Sequence, residues 1–345
     1  MQNLPLNDRR LAYREANPRD RLAEIAKALA ASEMGALVCQ LDNKTVVPLQ
    51  PNWCELFDRL PQLGHVMVLS RNAWVVHECI GHYAPATWNG AMGFIQGQNI
   101  DLRMLTNCWK YLFAAQVAHT GGILHSLQIF DESGMAVHKI YLEQDGHGDA
   151  FAALVDDLKL EHWIAPQKLI PALEMEKFRA ITLTEIHEFR RDWTQFQDTH
   201  DFFGMLRKHQ VSRLQAMHIA EASFVQELEL GAVQDLLQKA QLQSEPLIAC
   251  VGNRGMIQIY SGTIRNFKKM GDWLHVLDPA FNLHINTRGM HRVFIVHKPT
   301  RHGIISSLDV FSAPGELILS LFGYRKDNLQ PSETWGQLLA TLRNI

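Results

Sequence analysis

The chain has 345 residues, of which 47% are hydrophobic and 20% charged, an ordinary globular composition with length for two domain-sized cores. Its formal net charge of -3 argues against a nucleic-acid-binding protein. The first residues lack the apolar core of a signal peptide, and no stretch reaches the roughly 18 consecutive apolar residues of a membrane span. We therefore expect a soluble, cytoplasmic protein without membrane insertion.

The cysteine and histidine content indicates which kinds of binding or catalytic site the chain can form. The five cysteines are an odd number without a C-x-x-C pair, which disfavours both a disulfide framework and a structural zinc site. The 17 histidines exceed ordinary usage and leave imidazoles for ligation or proton transfer. The motif "HECIGH" (77–82) has one residue too many for a zinc-protease helix, and "GNRG" (252–255) is no phosphate-binding loop.

The second half of the chain repeats the first at an offset of 181 residues, as Asn72 and Asn253 illustrate. The window "FAAQVAHTGGILHSLQIFDESG" (113–134) aligns without a gap with "FIVHKPTRHGIISSLDVFSAPG" (294–315), and seven of the 22 positions are identical. Average residue usage would give about one or two identities. The offset of 181 also holds in the N-terminal helices, as for Leu22 and Phe203; beyond them it slips by one residue, so that Ser32 aligns with Ser212, and it returns to 181 in the strands. An internal duplication explains this pattern.

In chain order, each repeat begins with two or three amphipathic helices and continues as a run of strands. Strand, turn, strand patterns occupy 66–78 and 125–142 in the first copy, and 247–260 and 306–323 in the second. Helical periodicity runs through 143–189 and returns in "ETWGQLLATLRNI" at the end.

Long antiparallel runs of strands preceded by helices indicate an α+β fold rather than a parallel α/β sheet. We expect two similar halves, each with a large antiparallel β-sheet flanked by helices. The predicted domains are an N-terminal repeat (1–142), a helical connector (143–189) and a C-terminal repeat (190–345) that carries the ligand site.

The stretch "DTHDFFGMLRKHQVSR" (198–213) contains the main candidate ligand, His200. Asp198 or Thr199 can cap a helix here, and Phe203 and Leu206 supply apolar positions at helical spacing. A helix N-terminus carries partial positive charge, which favours the neutral imidazole that a metal needs. Alternatively, His200 is a structural histidine that makes only local hydrogen bonds and binds no metal.

Aromatic and basic residues accompany this histidine. Phe202 and Phe203 offer surface for a flat apolar ligand, and Arg207, Lys208 and Arg213 can pair with carboxylates. A neutral imidazole, an apolar slot and basic partners for propionates are the groups that haem requires.

Positions where the copies differ point to one site per chain. His200 aligns with Arg19, so the candidate ligand occurs in one copy only. Arg103 in "NIDLRML" aligns with His284 in "FNLHIN". In a strand, Arg103 alternates with apolar neighbours such as Leu102 and therefore lies on the other face. It is equally consistent with the sequence that Arg103 is a solvent-exposed arginine with no role in a site.

Several motifs in one order resemble a known family. They are "LSRNAWVVHECIGHY", "NIDLRML", "DTHDFFGMLRKHQVSRLQA", "VGNRGMIQIYSG" and "KPTRHGIISSLDVFSAPGELILSLFGYR". Together they resemble the HemS and ChuS type of cytoplasmic haem-trafficking or hemin-degrading factors, over nearly the whole chain. The resemblance implies that two similar halves hold one haem b in a cleft between them.

The resemblance also implies residue roles. His200 would be the proximal iron ligand, Arg103 would lie on the opposite haem face, and Arg213, Lys298 and Arg325 would contact the propionates. Relatives often carry Gln and Tyr where this chain has Ser320 and Phe322, which puts contacts on that side in doubt. The further histidines are His209 and His218; an unbroken helix would turn His209 about 900° from His200 and so point it away.

The implied function is to receive imported haem and traffic it, to a haem oxygenase or for iron release, in iron acquisition. A haem oxygenase or haem importer would be the partner. The alternative is an enzyme that degrades haem oxidatively, with Arg103 stabilising negative charge that develops on the oxidant. A scaffold that binds no haem is a third class, because fold alone does not establish function.

Overall fold

The computed structural model describes residues 4–18, 20–39, 41, 45–119, 122–143, 146–164, 166, 169–170, 178–199, 201–301, 303–325 and 332–343. The chain divides into two compact units. Unit 1 comprises Met1–Arg71, Glu78–Leu173 and Asn253–Ile257, and unit 2 comprises Asn72–His77, Glu174–Gly252 and Gln258–Ile345. The domain boundaries predicted at 142 and 189 stay predictions.

Unit 1 combines helices with two antiparallel strand groups. Its helices are α1 (Leu6–Ala16), α2 (Leu22–Ala28), α3 (Glu33–Val38), α4 (Trp53–Arg59) and α5 (Gly148–Leu158). Its strands are β1 (Val46–Leu49), β2 (Val66–Arg71), β3 (Val75–Gly81, whose first residues belong to unit 2), β4 (Thr87–Asn89), β5 (Met92–Gln96), β6 (Asp101–Leu105), β7 (Trp109–His119), β8 (Gly122–Asp131) and β9 (Ala136–Leu142). The antiparallel orders are β1-β7-β8-β9-β2 and β4-β5-β6.

Unit 2 repeats this plan. Its helices are α6 (Leu183–Trp193), α7 (Asp201–His209), α8 (Arg213–Ile219), α9 (Ala232–Gln243) and α10 (Glu333–Ala340). Its strands are β10 (Val225–Leu228), β11 (Leu247–Gly252), β12 (Met256–Gly262, whose first residues belong to unit 1), β13 (Phe267–Met270), β14 (Trp273–Asp278), β15 (Phe281–Asn286), β16 (Arg292–Thr300), β17 (Gly303–Phe311) and β18 (Leu317–Gly323). The antiparallel orders are β10-β16-β17-β18-β11 and β13-β14-β15. The predicted α+β fold with duplicated antiparallel sheets is confirmed.

The offset read from the sequence is visible in the strand boundaries. The pairs β2 and β11, β3 and β12, and β9 and β18 each begin and end 181 residues apart. The helices α3 and α8 instead begin at 33 and 213, which reproduces the one-residue slip. Both are capped by the aligned serines: Ser32 Oγ accepts from the Gly35 N–H at 2.9 Å, and Ser212 Oγ from the Gln215 N–H at 3.1 Å.

The region predicted as a helical connector contains α5 and most of α6. Helix α6 begins only at Leu183, because Thr182 and Glu185 form a reciprocal capping box at that point. Residues 178–182 are not helical. The helix start is therefore decided by a local polar signal, although the apolar periodicity extends further.

In each unit, helices pack against strands of the five-stranded antiparallel group. In unit 2, aromatic side chains of α6, α7, β16 and β17 form one buried cluster, including Trp193, Phe202, Phe294 and Phe311. In unit 1, a smaller cluster joins α3 to β1, β7 and β8. Within the described residues, no helix is long and apolar enough to span a bilayer.

Candidate functional site

Helix α7 begins later than the sequence predicts. Its first residue is Asp201, two or three residues after the predicted caps, and the Asp201 carboxylate accepts from the N–H groups of Gln197 and Asp198 at 2.8 and 2.9 Å. The turn before the helix is therefore folded around Asp201. The predicted ligand His200 and its aligned residue Arg19 lie outside the described residues.

The buried face of α7 differs from the predicted one. Phe202, Met205 and His209 are buried, whereas 51% of Phe203 is exposed. These three positions follow helical spacing, i, i+3 and i+7, which shifts the apolar stripe by one residue from the one predicted through Phe203. Phe203 thus offers its ring to solvent, next to the buried ring of Phe202 at 6.5 Å between centroids.

Strand register gathers polar groups on one face of the unit 2 sheet. Asp309 on β17 lies opposite Ser320 on β18, which in turn lies opposite Cys250 on β11. Lys298 on β16 lies opposite Ile305, and Ile305 is on the same face of β17 as Asp309, four residues further along the strand. Because directly opposed residues and alternate residues share a face, Lys298, Asp309, Ser320 and Cys250 all face the same side.

Three of the predicted site residues meet at this face. The Arg213 guanidinium lies 5.1 and 5.0 Å from the ring centroids of Phe202 and Phe203, and its Nη1 is 3.7 Å from Asp309 Oδ2. Lys298 Nζ lies 4.5 Å from the centroid of Phe202. These distances suit cation–π contacts, so the aromatic pair and the two cations form one arrangement.

The arrangement carries excess positive charge. Burial lowers the pKa of Lys298 to about 8; the Asp309 carboxylate opposes this shift, while Arg213 and Arg325 add to it. Burial also lowers the pKa of Arg213, again opposed by Asp309. We call Arg213, Lys298 and Arg325, together with Asp309, the cationic cluster. It contains three cations and one carboxylate, so a ligand with two negative charges would balance it.

The position of unit 1 that matches Arg213 carries a carboxylate instead of a guanidinium. Glu33 takes the first position of α3 as Arg213 takes the first position of α8, and it pairs with buried Lys139 and, at 3.5 Å, with Arg71. Burial raises the pKa of Glu33, but the charges of Lys139 and Arg71 outweigh it and hold that pKa below its ordinary value. This cluster has two cations for one carboxylate, so it has one excess positive charge where the unit 2 arrangement has two.

Arg103 belongs to β6 of unit 1. Its Nη1 donates to the Leu102 carbonyl at 3.1 Å and pairs with Asp101, and its guanidinium lies 5.8 Å from the Phe94 centroid. Burial raises the pKa of Asp101, and the Arg103 charge opposes that shift. The predicted alternation is confirmed, because Leu102 and Met104 are buried on the other face while 25% of the Arg103 side chain is exposed.

The two additional histidines have structural partners. His209 ends α7, is 7% exposed and places Nε2 2.8 Å from Asp192 Oδ2. Helix α7 stops here because Gln210 adopts a left-handed φ of 53°. His218 packs its ring against Phe294 and Phe178, and burial lowers its pKa.

The carboxylate of the cluster is the residue that sequence reasoning missed. Asp309 is 1% exposed, and the aligned residue of the first repeat is Gln128. A buried carboxylate present in one copy only is the same signal that identified His200. Within the described part of the chain, no group of three or more His, Cys, Asp and Glu residues is arranged to hold a metal ion.

The comparisons with known proteins agree with this architecture. A family model described as a haemin-degrading HemS.ChuX domain matches residues 30–158 and 210–342, one stretch in each repeat. The chain belongs to the HemS family. The resemblance predicted from the motifs is therefore confirmed.

Individual relatives cover most of the chain. The hemin transport protein HemS of Yersinia enterocolitica is 32% identical over 295 residues, which is 84% of this chain and 83% of the relative. The heme-binding protein PhuS of Pseudomonas aeruginosa, in its holo form, is 33% identical, with a TM-score of 0.89 over 99% of both chains. The heme degrading enzyme ChuS of Escherichia coli O157:H7 is 25% identical, with a TM-score of 0.89 over 98% of both chains. The HemS family fold thus extends over the full chain.

Proposed function

We propose that this chain binds one haem b per molecule through unit 2 and hands it on in haem iron acquisition. The observation that carries the proposal is the cationic cluster beside Phe202 and Phe203. Two propionates would balance its excess charge, and the exposed ring of Phe203 suits an aromatic macrocycle. The relatives support the proposal, since HemS is a hemin transport protein and PhuS a heme-binding protein.

Each residue of the site then has a task. Arg213 and Lys298 hold carboxylates, and Arg325 adds a third cation near the strand end. Asp309 positions Arg213 and limits the mutual repulsion of the cations. His200 would supply the iron ligand, a role that rests on the family motif. When bound, haem supplies the redox-active iron and the two carboxylates that the cluster recognises.

A carrier must also release its cargo. The pKa of Lys298, about 8, lies close to neutral pH, so this ammonium loses its proton more readily than an ordinary lysine. Phe203 is half-exposed, so one side of the aromatic surface is open to solvent. Both features favour an exchangeable complex, as transfer to a haem oxygenase would require. Cytoplasmic localisation and the importer as donor are part of the proposal.

A hemin titration tests this function. We expect a saturable one-to-one complex with a Soret band that His200→Ala abolishes or strongly shifts. Arg213→Gln should weaken hemin binding by about 10- to 100-fold, the value of one or two charge-assisted hydrogen bonds. Lys208→Gln is the matched control, because Lys208 is an exposed cation paired with Asp192 at 2.5 Å. Absence of a complex, or equal binding by all four proteins, would remove the proposal.

Oxidative haem degradation is the second candidate, favoured by the name of ChuS and by the description of the family model. Arg103, partly exposed on β6, would donate hydrogen bonds to negative charge on the distal side. The test is ascorbate added to the hemin complex with catalase present. A complex that survives indicates a carrier, whereas catalase-resistant loss of the Soret band with a defined tetrapyrrole product indicates an enzyme.

Variants at Arg103 assign the distal role. Arg103→Gln should leave hemin affinity within about threefold but slow the loss of the Soret band about 100-fold if the chain is an enzyme. Arg288→Gln is the control, because Arg288 is an exposed arginine with its own aspartate, Asp272, at 2.7 Å. Equal rates for Arg103→Gln and the unaltered protein would contradict the role.

A further inference from the structure

A pair of histidines faces each other across two strands of unit 2. His275 on β14 lies directly opposite His284 on β15, and their Nδ1 atoms are 2.7 Å apart. The ring centroids are 5.0 Å apart and the ring planes meet at 75°. One Nδ1 carries the shared proton and the other accepts it, so the two lone-pair directions converge on one point.

The fold does not require histidine at these positions. In unit 1, Phe94 and Arg103 are the residues 181 positions earlier, and they too lie directly opposite each other, on β5 and β6. The same antiparallel arrangement thus forms around an aromatic ring and a guanidinium. The histidine pair is therefore an addition specific to the second copy.

The pair lies on the outer face of its strands. The buried residues Leu274 and Val276 occupy the other face of β14, while the neighbours Trp273 and Leu277 on the face of His275 are 36% and 38% exposed. Burial lowers the pKa of His275, and the charge of His284 lowers it further. The ring of His275 is consequently neutral at pH 7, the form in which imidazole binds metals.

We propose that His275 and His284 form a site for a divalent transition metal ion, with zinc as the representative. Two nitrogens that bind one tetrahedral zinc at about 2.0 Å lie about 3.3 Å apart, so the observed pair has to open by only about 0.6 Å. Neutral imidazoles are preferred ligands of zinc, copper and nickel. Water completes the coordination. The ring that donates the shared proton moves it from Nδ1 to Nε2, so both rings bind through Nδ1 as neutral imidazoles.

Charge near the pair limits the affinity. Lys268 on β13 lies directly opposite His275 on the other side of β14, and it is exposed. Its ammonium is solvated, so repulsion of a bound cation is screened by water and salt. With two protein ligands, the site is exchangeable.

Zinc titration of the full, untagged, haem-free chain by calorimetry tests the site. The unaltered protein should bind one equivalent of zinc that His275→Gln/His284→Gln loses. Each single variant should lower the affinity for this zinc ion by at least about tenfold, because mutating even a residue that only hydrogen-bonds to a metal ligand lowers metal affinity that much.

Two further variants keep the result interpretable. His275→Phe/His284→Arg reproduces the pair that the other repeat carries, so it should fold, as far-UV circular dichroism would show, and still lose the zinc equivalent. His65→Gln/His82→Gln should retain it, because those rings stack at 5.2 Å with planes 21° apart, so their in-plane lone pairs do not converge. The proposal would be overturned if His275→Phe/His284→Arg bound as many zinc ions as the unaltered chain with the same affinity. It would also be overturned if the unaltered chain bound no zinc.

Discussion

Lys298 retains an ammonium group at a position that is only 5% exposed. Removing a lysine from water disfavours its charged form, which is why burial lowers its pKa to about 8. Asp309 offsets part of this penalty, but Arg213 and Arg325 add to it. The aligned cluster of the other repeat, with Glu33, Lys139 and Arg71, has one excess cation, whereas the cationic cluster has two. The remaining charge therefore indicates an anionic ligand.

Hemin affinity should depend on the protonation of Lys298. The ammonium is charged below pH 8 and neutral above it, so affinity should fall as the pH rises from 7 to 9. Lys298→Met should bind about 10- to 100-fold more weakly at pH 7 and should lose this part of the pH dependence. Soret titrations at each pH, with Lys208→Met as a control that keeps the normal profile, measure both effects. An unaltered profile in Lys298→Met would contradict this assignment.

Helices α2 and α7 end in the same way in the two repeats. Ala30 and Gln210 both adopt left-handed φ values, 52° and 53°, just after the helices. The next N–H groups reach back five residues, from Ala31 to the Ala26 carbonyl at 2.9 Å and from Val211 to the Leu206 carbonyl at 3.1 Å. These are Schellman motifs, which usually have glycine at the left-handed position.

Glycine at either position should stabilise the protein. Ala30→Gly and Gln210→Gly relieve the left-handed strain, and both side chains are exposed, so no packing is lost. We expect each to raise the free energy of unfolding by about 0.5–1 kcal/mol, measured by urea denaturation. Ala28→Gly, at the last helical position of α2, should instead lower it by about 1 kcal/mol. A lower midpoint in both left-handed variants would refute the strain argument.

At the scale of the whole molecule, the repeats exchange short segments. Unit 2 includes Asn72–His77 and unit 1 includes Asn253–Ile257. Asn72 and Asn253 lie at the start of these segments, and the side chain of each makes four hydrogen bonds. The partners of Asn72 are the Gly252 and Ile318 carbonyls and the Trp74 and Val75 N–H groups. Those of Asn253 are the Arg71 and Val137 carbonyls and the Gly255 and Met256 N–H groups.

Both asparagines should matter equally for stability. Their carbonyl acceptors are themselves 181 residues apart, so the two networks are copies of each other. Asn72→Ala and Asn253→Ala should each lower the free energy of unfolding by about 2–4 kcal/mol, because several hydrogen bonds are lost at once. Asn99→Ala is the comparison, since the Asn99 side chain donates to the Ile80 carbonyl at 3.1 Å and should lose about 1 kcal/mol. A large effect at only one of the two would show that the networks are not equivalent.

Elsewhere the repeats have diverged in groups of contacting residues. In unit 1, His138 is buried between Ser70 Oγ at 2.9 Å and the Tyr83 hydroxyl at 2.8 Å, and burial lowers its pKa to about 3. The aligned residues of unit 2 are all apolar and buried: Val251, Leu319 and Ile264. A single sequence shows each difference separately. Only the contacts show that the three changes belong together.

The sequence by itself determined the duplication, the α+β class and the strand, turn, strand segments, and it named Phe203, Arg213 and Lys298 as candidate site residues. These follow from short-range periodicity and from residue-by-residue alignment, which a chain displays directly. The tertiary structure decided that α7 buries Phe202 rather than Phe203, that Asp309 accompanies Arg213, and that His275 meets His284. Each of these features depends on how a helix is rotated about its axis or on which residues of two strands are paired. Packing between residues far apart in the chain sets both, so the local sequence pattern does not predict them.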